Sequence, residues 1–332
     1  MSQHVDVDSL DIPGYVRLHQ TGELHARAQQ SFELLRSCSL CPRNCGVDRL
    51  AGERGYCQAG SAVKVSRFII HIGEEPPISG TCGSGTIFFS HCNLRCLICQ
   101  NEQISLDGDG QMMAPVDLAQ GMLELQNKGV HNINLVTPSH FLPWILEALC
   151  IASDAGLRLP VVYNSGGYEN LESLYLLDGV VDIYLPDAKY SDGDLAKTIS
   201  NAPDYPEVNA VSLREMFRQS GHLQMDDRGI AKKGLIIRHL VLPGYIDNSK
   251  GVLQMIARTI GTGASISLMS QYFATNRVQH IDGLNRAVSP EEYRACVTTL
   301  LDMGFDDGWV QEELGVPIDD RPDFDRHESV MK

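Results

Sequence analysis

The chain has 332 residues and is strongly acidic, with 27 Lys and Arg against 42 Asp and Glu and a formal net charge of −15. This charge repels phosphate, so it disfavours nonspecific binding to nucleic acid or to an anionic membrane. A hydrophobic content of 43% excludes disorder as the dominant state. The start MSQHVDVDSL does not resemble a secretory signal, and no apolar run approaches the roughly 20 residues that span a bilayer. We therefore expect a cytoplasmic protein with no membrane partner.

Composition along the chain predicts four regions. Residues 1–37 begin with an acidic stretch poor in large apolar side chains, which predicts a loosely docked N-terminal arm. Residues 38–80 are rich in Cys, Gly and Pro, which predicts loops folded around a metal. Residues 81–310 carry the main fold, and residues 311–332 are expected to form a C-terminal tail.

The 38–80 segment carries four cysteines, at positions Cys38, Cys41, Cys45 and Cys57. Clustered cysteines in a reducing compartment point to metal or redox chemistry before disulfides. Four soft ligands can close one tetrahedral zinc site or one 4Fe-4S cluster, and the spacing leaves both open. Cys82 lies between this set and the next, close enough in sequence to be a spare ligand for either. The favoured expectation is that it is buried as a small hydrophobic residue.

From about residue 84, short apolar runs alternate with amphipathic stretches, which is typical of a parallel sheet whose strands are connected by helices. Six such β/α units predict an α/β fold with a partial TIM-like barrel, because a closed barrel needs eight. The predicted strands are residues 86–90, 132–136, 159–164, 180–185, 234–242 and 265–271. The predicted helices are residues 116–128, 141–155, 169–177, 192–200, 207–219, 249–260 and 290–303.

Directly after the first of these strands come Cys92, Cys96 and Cys99, spaced as C-x3-C-x2-C. A loop at the carboxyl end of a parallel strand is where such folds place their active sites. Three thiolates can hold three irons of a 4Fe-4S cluster, which leaves the fourth iron open to bind a substrate or cofactor. Electron carriers of the ferredoxin type use four cysteines, so three cysteines favour chemistry over electron storage.

These features resemble the radical S-adenosylmethionine (SAM) superfamily, and in detail the group related to the pyruvate formate-lyase activating enzyme. The superfamily has a C-x3-C-x-aromatic-C loop after the first strand of a six-unit partial barrel, and Ile98 takes the aromatic position here. The shared stretches are CSLCPRNCGVDRLAGERGYC, EEPPISGTCGSGTIFFSHCNLRCLICQN, GVHNINLVTPSH, LPVVYNSGGY, VDIYLPDAKY and LIIRHLVLPG. They are spread along nearly the whole chain from Cys38 to about Phe305.

The resemblance implies that the open iron chelates SAM. Reduction by a donor such as flavodoxin or ferredoxin would then cleave SAM to methionine and a 5′-deoxyadenosyl radical that abstracts hydrogen. It also implies that polar residues after the later strands contact SAM or substrate. These candidates are Thr137, Ser139 and His140 after the second strand, Asn164 after the third, Asp187 and Lys189 after the fourth, and Arg238 or His239 on the fifth. Alternation along a strand puts Arg238 and His239 on opposite faces, so only one of them can face the barrel interior.

Three functions remain open from the sequence. The chain resembles enzymes that install a glycyl radical on a protein partner, and Asp187 and Lys189 match their Asp-x-Lys. Alternatively it modifies a small molecule or peptide, for which residues 201–233 are long enough to form a lid. A third reading is a noncatalytic iron–sulfur protein, against which the free iron position argues.

Overall fold

Seven consecutive parallel strands make up most of the sheet in the computed structural model, which describes residues 12–311. Within those residues the strand order is β10-β9-β8-β6-β5-β4-β2-β1-β3, and β7 pairs with β8 beside this path. The strands are β1 (Val63–His71), β2 (Ser84–Phe89), β3 (Gln111–Met113), β4 (Ile133–Val136), β5 (Val161–Ser165), β6 (Ile183–Pro186), β7 (Gln224–Met225), β8 (Ala231–Leu240), β9 (Ser265–Met269) and β10 (Gly308–Val310).

The six predicted strands correspond to β2, β4, β5, β6, β8 and β9. They pair in parallel with their neighbours in chain order, so the prediction of an α/β fold with a parallel sheet is confirmed. At one edge, β10 adds a further parallel strand. At the other edge β1 and β3 are antiparallel. The sheet is not closed into a barrel within the described residues, and the partial TIM-like barrel stays a prediction.

All seven predicted helices are present to within a few residues at either end, and they lie between or after the expected strands. Pro115 and Pro290 begin their helices, and Gly129, Gly156 and Gly304 follow helix ends with positive φ, as a C-terminal cap requires. The helices are α1 (Gly14–Gln20), α2 (Glu23–Glu33), α3 (Pro76–Ser79), α4 (Glu102–Ser105), α5 (Pro115–Asn127), α6 (Leu142–Asp154), α7 (Leu171–Leu176), α8 (Gly193–Ser200), α9 (Tyr205–Ser220), α10 (Ile246–Thr259) and α11 (Pro290–Asp302).

The prediction of a loosely docked N-terminal arm is wrong for the part of it that the structure describes. Residues 14–33 form α1 and α2, whose Tyr15 and Leu24 are fully buried in the main core. Asp182 on the loop before β6 accepts a hydrogen bond from the Gly14 N–H at 3.1 Å, which fixes the start of α1. Tyr15, Leu24 and Leu35 are fully buried, and Leu18, Phe32 and Leu34 are half-buried against the same core, so a few large apolar residues suffice to dock the two helices.

Residues 38–80 contain a nine-residue strand in addition to loops. The strand β1 pairs antiparallel with β2, and its side chains alternate only partly between buried and exposed because it lies near the sheet edge. Lys64 and Arg67 interrupt its apolar pattern, which hid the strand from sequence reasoning. Of the predicted C-terminal tail, residues 312–332 lie outside the described residues.

The two faces of the sheet have different neighbours. One face packs against the helices through residues such as Leu135, Tyr163 and Ile237 in the main core. The opposite face carries a smaller apolar cluster that includes Val162, Leu185 and Ile236. No helix in the described part of the chain is long and apolar enough to cross a membrane.

Candidate functional site

The three-cysteine loop, residues 91–99, begins two residues after the end of β2 and turns at the carboxyl edge of the parallel sheet. His91 and Arg95 have φ values of 71° and 52°, which lets the loop turn sharply. Leu94 and Ile98 are buried in an apolar cluster with Tyr168 and Tyr190. Ile98 therefore shields the loop from water, as expected of an apolar residue at that position.

Each sulfur of the loop has a hydrogen-bonding partner. The Leu94 N–H donates to Cys92 Sγ at 3.3 Å, and Ser200 Oγ, at the end of α8, donates to Cys96 Sγ at 2.9 Å. Cys99 Sγ lies 3.0 Å from Ser105 Oγ. Donors aimed at sulfur stabilise a metal-bound thiolate and tune its cluster.

Two of the three thiols, those of Cys92 and Cys99, lie where burial disfavours the charged thiolate form. Burial raises the pKa of Cys92 to about 12 and also raises the pKa of Cys99. Thiols of this kind stay neutral without a cation, whereas a bound iron deprotonates them outright. With one buried and two half-buried cysteines and a hydrogen-bonding partner near each sulfur, the donor set fits an iron–sulfur cluster.

An ion pair lies beside the loop. Lys189 Nζ is 2.5 Å from Asp187 Oδ2, just beyond β6. Burial opposes the charge of Lys189, but the Asp187 carboxylate and the Cys96 sulfur together raise the Lys189 pKa above its usual value. The ammonium also lowers the pKa of Cys99, although burial outweighs it. The predicted Asp187 and Lys189 are thus brought together with the three-cysteine loop.

Two α9 residues hold this ion pair in place, and sequence reasoning missed both. The Tyr205 hydroxyl accepts from the Lys189 N–H at 3.0 Å and lies 2.8 Å from the Gly166 carbonyl oxygen. Asn209 Nδ2 lies within 3.0 Å of the Gly167 and Asp187 carbonyl oxygens. The sequence gives no signal that singles them out, because Ser212, Glu215 and Ser220 are also polar residues on the buried face of α9.

Arg238 and His239 lie on opposite faces of β8, as alternation predicts. Arg238 forms buried ion pairs with Glu74 and Glu75, its Nε lying 2.7 Å from Glu75 Oε1. Burial disfavours the charge of Glu74, but Arg238 and His71 lower its pKa to about 2. The carboxylates that Arg238 binds are thus those of Glu74 and Glu75 in the EEPP segment of the same chain, and a contact with SAM or substrate stays a prediction. His239 bonds the Ala188 carbonyl oxygen at 2.6 Å and Ser249 Oγ at 2.8 Å.

The candidates after β4 and β5 have partners within the protein. Ser139 Oγ donates to Glu169 Oε1 at 2.6 Å, and burial lowers the pKa of His140 to about 3. His140 Nε2 lies 2.8 Å from the Ser90 carbonyl oxygen, which precedes the three-cysteine loop. Thr137 takes a positive φ of 58° and its N–H donates to the Asn164 carbonyl oxygen at 2.8 Å. These residues border the loop, and their contacts with SAM stay a prediction.

The four upstream cysteines lie in one small region. Cys38, Cys41 and Cys57 are buried, and Cys45 is half-buried. Burial raises the pKa of Cys41, and the neighbouring Cys57 and Cys38 thiols raise it further.

Cys45 sits in a tight backbone cradle that suits a metal ligand. The Tyr56 N–H donates to Cys45 Sγ at 3.3 Å, and a Cβ at Gly55 would lie 2.7 Å from that sulfur. Among residues 12–311, no three His, Cys, Asp or Glu side chains stand in an arrangement for a single metal ion. Zinc needs its ligands around one point, which these side chains do not provide as placed, so the metal at the four upstream cysteines stays a prediction.

The remaining cysteines differ from one another. Cys150 and Cys296 are buried. The prediction that Cys82 is buried is wrong: its side chain is exposed, on the turn where its backbone N–H donates to His131 Nε2 at 3.1 Å. A turn at the start of a strand leaves no core for it to enter.

No family model matches the chain. Two uncharacterized proteins of Methanocaldococcus jannaschii are similar in sequence. MJ0674 is 28% identical over 298 residues, which cover 87% of this chain and 81% of that protein. MJ0808 is 24% identical over 236 residues, which cover 66% of this chain and 64% of that protein.

A solved structure resembles part of the fold. It is that of Streptococcus suis SuiB bound to S-adenosylmethionine, with a TM-score of 0.43 and 10% sequence identity. The overlap covers 64% of this chain and 44% of SuiB. The bound S-adenosylmethionine is a property of SuiB, and the function below is drawn from this chain's own residues.

Proposed function

We propose that this protein is a radical SAM enzyme, which cleaves S-adenosylmethionine reductively at a 4Fe-4S cluster held by Cys92, Cys96 and Cys99. The observation that carries the proposal is the three-cysteine loop at the carboxyl edge of the parallel sheet, with three buried or half-buried sulfurs and a donor near each. When bound, the cluster supplies the electron that converts SAM to methionine and a 5′-deoxyadenosyl radical for hydrogen abstraction.

The chain's own residues prepare the site. Leu94 and Ile98 exclude water from the inner side of the loop. Lys189, kept protonated by Asp187, offers a fixed positive charge beside the cysteines. We propose that this ammonium and the Asp187 carboxylate orient the charged groups of SAM or of the substrate. Thr137, Ser139, His140 and Asn164 would border the SAM pocket, with Ser139 and His140 acting through their present partners.

For the upstream cysteines we propose a second metal centre, either zinc or a 4Fe-4S cluster. Supporting this, Cys38, Cys41 and Cys57 are buried. Burial raises the pKa of both Cys41 and Cys57, and the neighbouring Cys38 thiol raises both further. Buried thiolates need a cation, and a bound metal would add to the folding free energy of a loop-rich segment.

For the recipient of the radical we propose a protein partner, with a flavodoxin or ferredoxin as electron donor. The Asp187–Lys189 pair, which resembles that of glycyl-radical activating enzymes, supports this. The alternative of an enclosed small molecule relied on residues 201–233 as a lid. That segment instead contains α9, whose Met216 is buried in the main core, and β7, which pairs with β8.

The test is anaerobic reconstitution with iron and sulfide, followed by reduction in the presence of SAM. We expect 5′-deoxyadenosine and methionine in equal amounts. A Cys96→Ala variant removes one cluster ligand and should abolish both products, whereas Cys82→Ala changes an exposed thiol and should leave them unchanged.

Failure of fully reconstituted wild-type protein to form 5′-deoxyadenosine would refute the enzyme reading and favour a noncatalytic iron–sulfur protein. Metal analysis of a Cys92/Cys96/Cys99 triple alanine variant then identifies the second centre. About one zinc per chain, or residual iron with sulfide, would decide between the two metals.

A further inference from the structure

We propose that Arg43 is a positioning residue that couples the upstream cysteine centre to the three-cysteine loop, so that order in the first centre stabilises the second. The inference rests on the proposed function only in taking both cysteine sets as metal ligands. Arg43 lies between Cys41 and Cys45, inside the upstream set, yet its guanidinium bonds other parts of the chain.

The contacts of Arg43 reach two segments that enclose the reactive loop. Its Nε donates to the Asn93 carbonyl oxygen at 2.9 Å, within the three-cysteine loop itself. One Nη donates to the Ser200 carbonyl oxygen at 2.8 Å, and the other donates to that of Asn201. One side chain thus joins residue 93 to the end of α8.

The second step of the connection is Ser200. Its carbonyl oxygen accepts from Arg43, while its hydroxyl donates to Cys96 Sγ at 2.9 Å. The Ile199 carbonyl oxygen accepts from the Leu97 N–H at 2.9 Å, so the same helix end also holds the loop backbone. A continuous path of two hydrogen bonds therefore runs from the upstream set to a ligand sulfur.

The guanidinium is held in place by aromatic rings. Its carbon lies 3.8 Å from the ring centroid of Tyr56 and 5.2 Å from that of Tyr168. Tyr56 belongs to the upstream segment, directly before Cys57, and its N–H donates to Cys45 Sγ. The ring that stacks on Arg43 therefore belongs to a residue, Tyr56, whose backbone is hydrogen-bonded to an upstream cysteine.

The geometry requires an arginine. A planar guanidinium can donate to three carbonyl oxygens and stack on two rings at once, whereas a lysine ammonium has no flat face to stack. Hydrogen bonds from a charged donor are also stronger than neutral ones. Loss of the upstream metal would release Tyr56 and the backbone on both sides of Arg43, and the three-cysteine loop would lose its support.

The experiment measures how firmly each cysteine set keeps its metal. Protein loaded anaerobically with iron and sulfide is treated with a chelator and iodoacetamide, and alkylation of each cysteine peptide is followed by mass spectrometry. We expect Arg43→Gln to speed alkylation of Cys92, Cys96 and Cys99 about tenfold, as for the loss of charged hydrogen bonds. The upstream cysteines should stay protected as in wild type.

The control is Arg36→Gln, which removes a charge from an exposed arginine near the same segment and should match wild type. A conservative variant, Arg43→Lys, should fall between wild type and Arg43→Gln. The midpoint potential of the three-cysteine cluster is a measurement that a general loss of rigidity would not change. It should fall in Arg43→Gln, because Ser200 then donates a weaker hydrogen bond to Cys96.

Coupling is tested by removing the upstream metal with Cys45→Ala, whose side chain is only half-buried. That variant should speed alkylation of the three-cysteine loop, and adding Arg43→Gln should speed it little further, because both changes break the same path. Wild-type rates in Arg43→Gln, or effects that multiply in the double variant, would overturn the coupling.

These outcomes separate the two proposals. If the Arg43 effect is present but no 5′-deoxyadenosine forms, the proposed function fails and the coupling stands. If 5′-deoxyadenosine forms but Arg43→Gln matches wild type, the coupling fails alone. If the three-cysteine loop of the wild-type protein takes up no iron, both the proposed function and the proposed coupling are wrong.

Discussion

At the scale of single residues, the Ser200 side chain donates a hydrogen bond to Cys96, one of the candidate cluster ligands. Its hydroxyl lies between Cys96 Sγ and the Tyr190 hydroxyl, at 2.9 and 2.8 Å. We predict that Ser200→Ala lowers the midpoint potential of the three-cysteine cluster, because one donor to a thiolate is lost, by on the order of tens of millivolts. Redox titration followed by electron paramagnetic resonance measures this. Ser220→Ala on α9, where the hydroxyl bonds the Met216 carbonyl oxygen, should leave the potential unchanged.

A second prediction at the residue scale concerns Glu169 and the pH dependence of the protein's stability. Burial raises the pKa of this carboxyl to about 7, even though Ser139 and Tyr163 donate to it. Between the unfolded pKa near 4.5 and pH 7, the folded state therefore holds more protons than the unfolded state, and stability falls as pH rises. Glu169→Gln should abolish a loss of about 2 kcal/mol between pH 5.5 and pH 8. Urea unfolding at both pH values tests this, and an equal slope in both proteins would contradict it.

At the scale of elements, the turn after β5 depends on one glycine. Gly167 has a φ of 68°, and a Cβ there would lie 2.0 Å from the Asp187 carbonyl oxygen. We predict that Gly167→Ala costs about 3 kcal/mol or more, because it adds a backbone clash to an unfavourable conformation. Gly156→Ala also has positive φ, but nothing lies within 4 Å, so about 1 kcal/mol should be lost. Chemical denaturation compares them, and equal costs would mean that the Asp187 turn can move aside.

The elements also show what a sequence can and cannot predict. The parallel strands and their helices were predictable because each is a local pattern of apolar residues with clear helix caps. The helices α1 and α2 and the strand β1 were not, since their burial depends on partners far along the chain. In the site, both cysteine sets could be predicted from spacing, and the Asp187–Lys189 pair only from the resemblance to glycyl-radical activating enzymes. Arg43, Ser200 and Tyr205 could not, because ordinary residue types gain their roles only from long-range contacts.

At the scale of the whole molecule, the negative charge is not evenly spread. The net charge is −15, yet the basic residues Lys64, Arg54 and Arg95 lie near His91, the first residue of the three-cysteine loop. Burial lowers the pKa of His91 to about 4, and Lys64, Arg54 and Arg95 lower it further. A groove of about 390 Å³ lies there, lined in part by Arg54, Lys64 and His91.

This basic patch predicts how an acidic electron donor would approach. Arg54→Glu should slow reduction by flavodoxin several-fold at low salt, because it removes local attraction from a molecule that repels acidic partners overall. The effect should vanish at high salt and be absent with dithionite. Arg258→Glu, on the exposed end of α10, should have a smaller effect in stopped-flow measurements. Equal slowing by both variants would contradict a local docking site.

The hydrogen-bond partners of Arg43 are synthesised long after Arg43 itself. Its partner Ser200 lies 157 residues later in the chain, and Asn93 lies 50 residues later. At ribosomal rates of about 5 to 20 residues per second, the upstream cysteines wait roughly 10 to 30 seconds before α8 has been made. During that interval Arg43, which lies between two of these cysteines, lacks its Ser200 and Asn201 partners, and the sheet is unfinished. A newly made chain would therefore benefit from early delivery of metal to its first cysteine set, while the rest is still being translated.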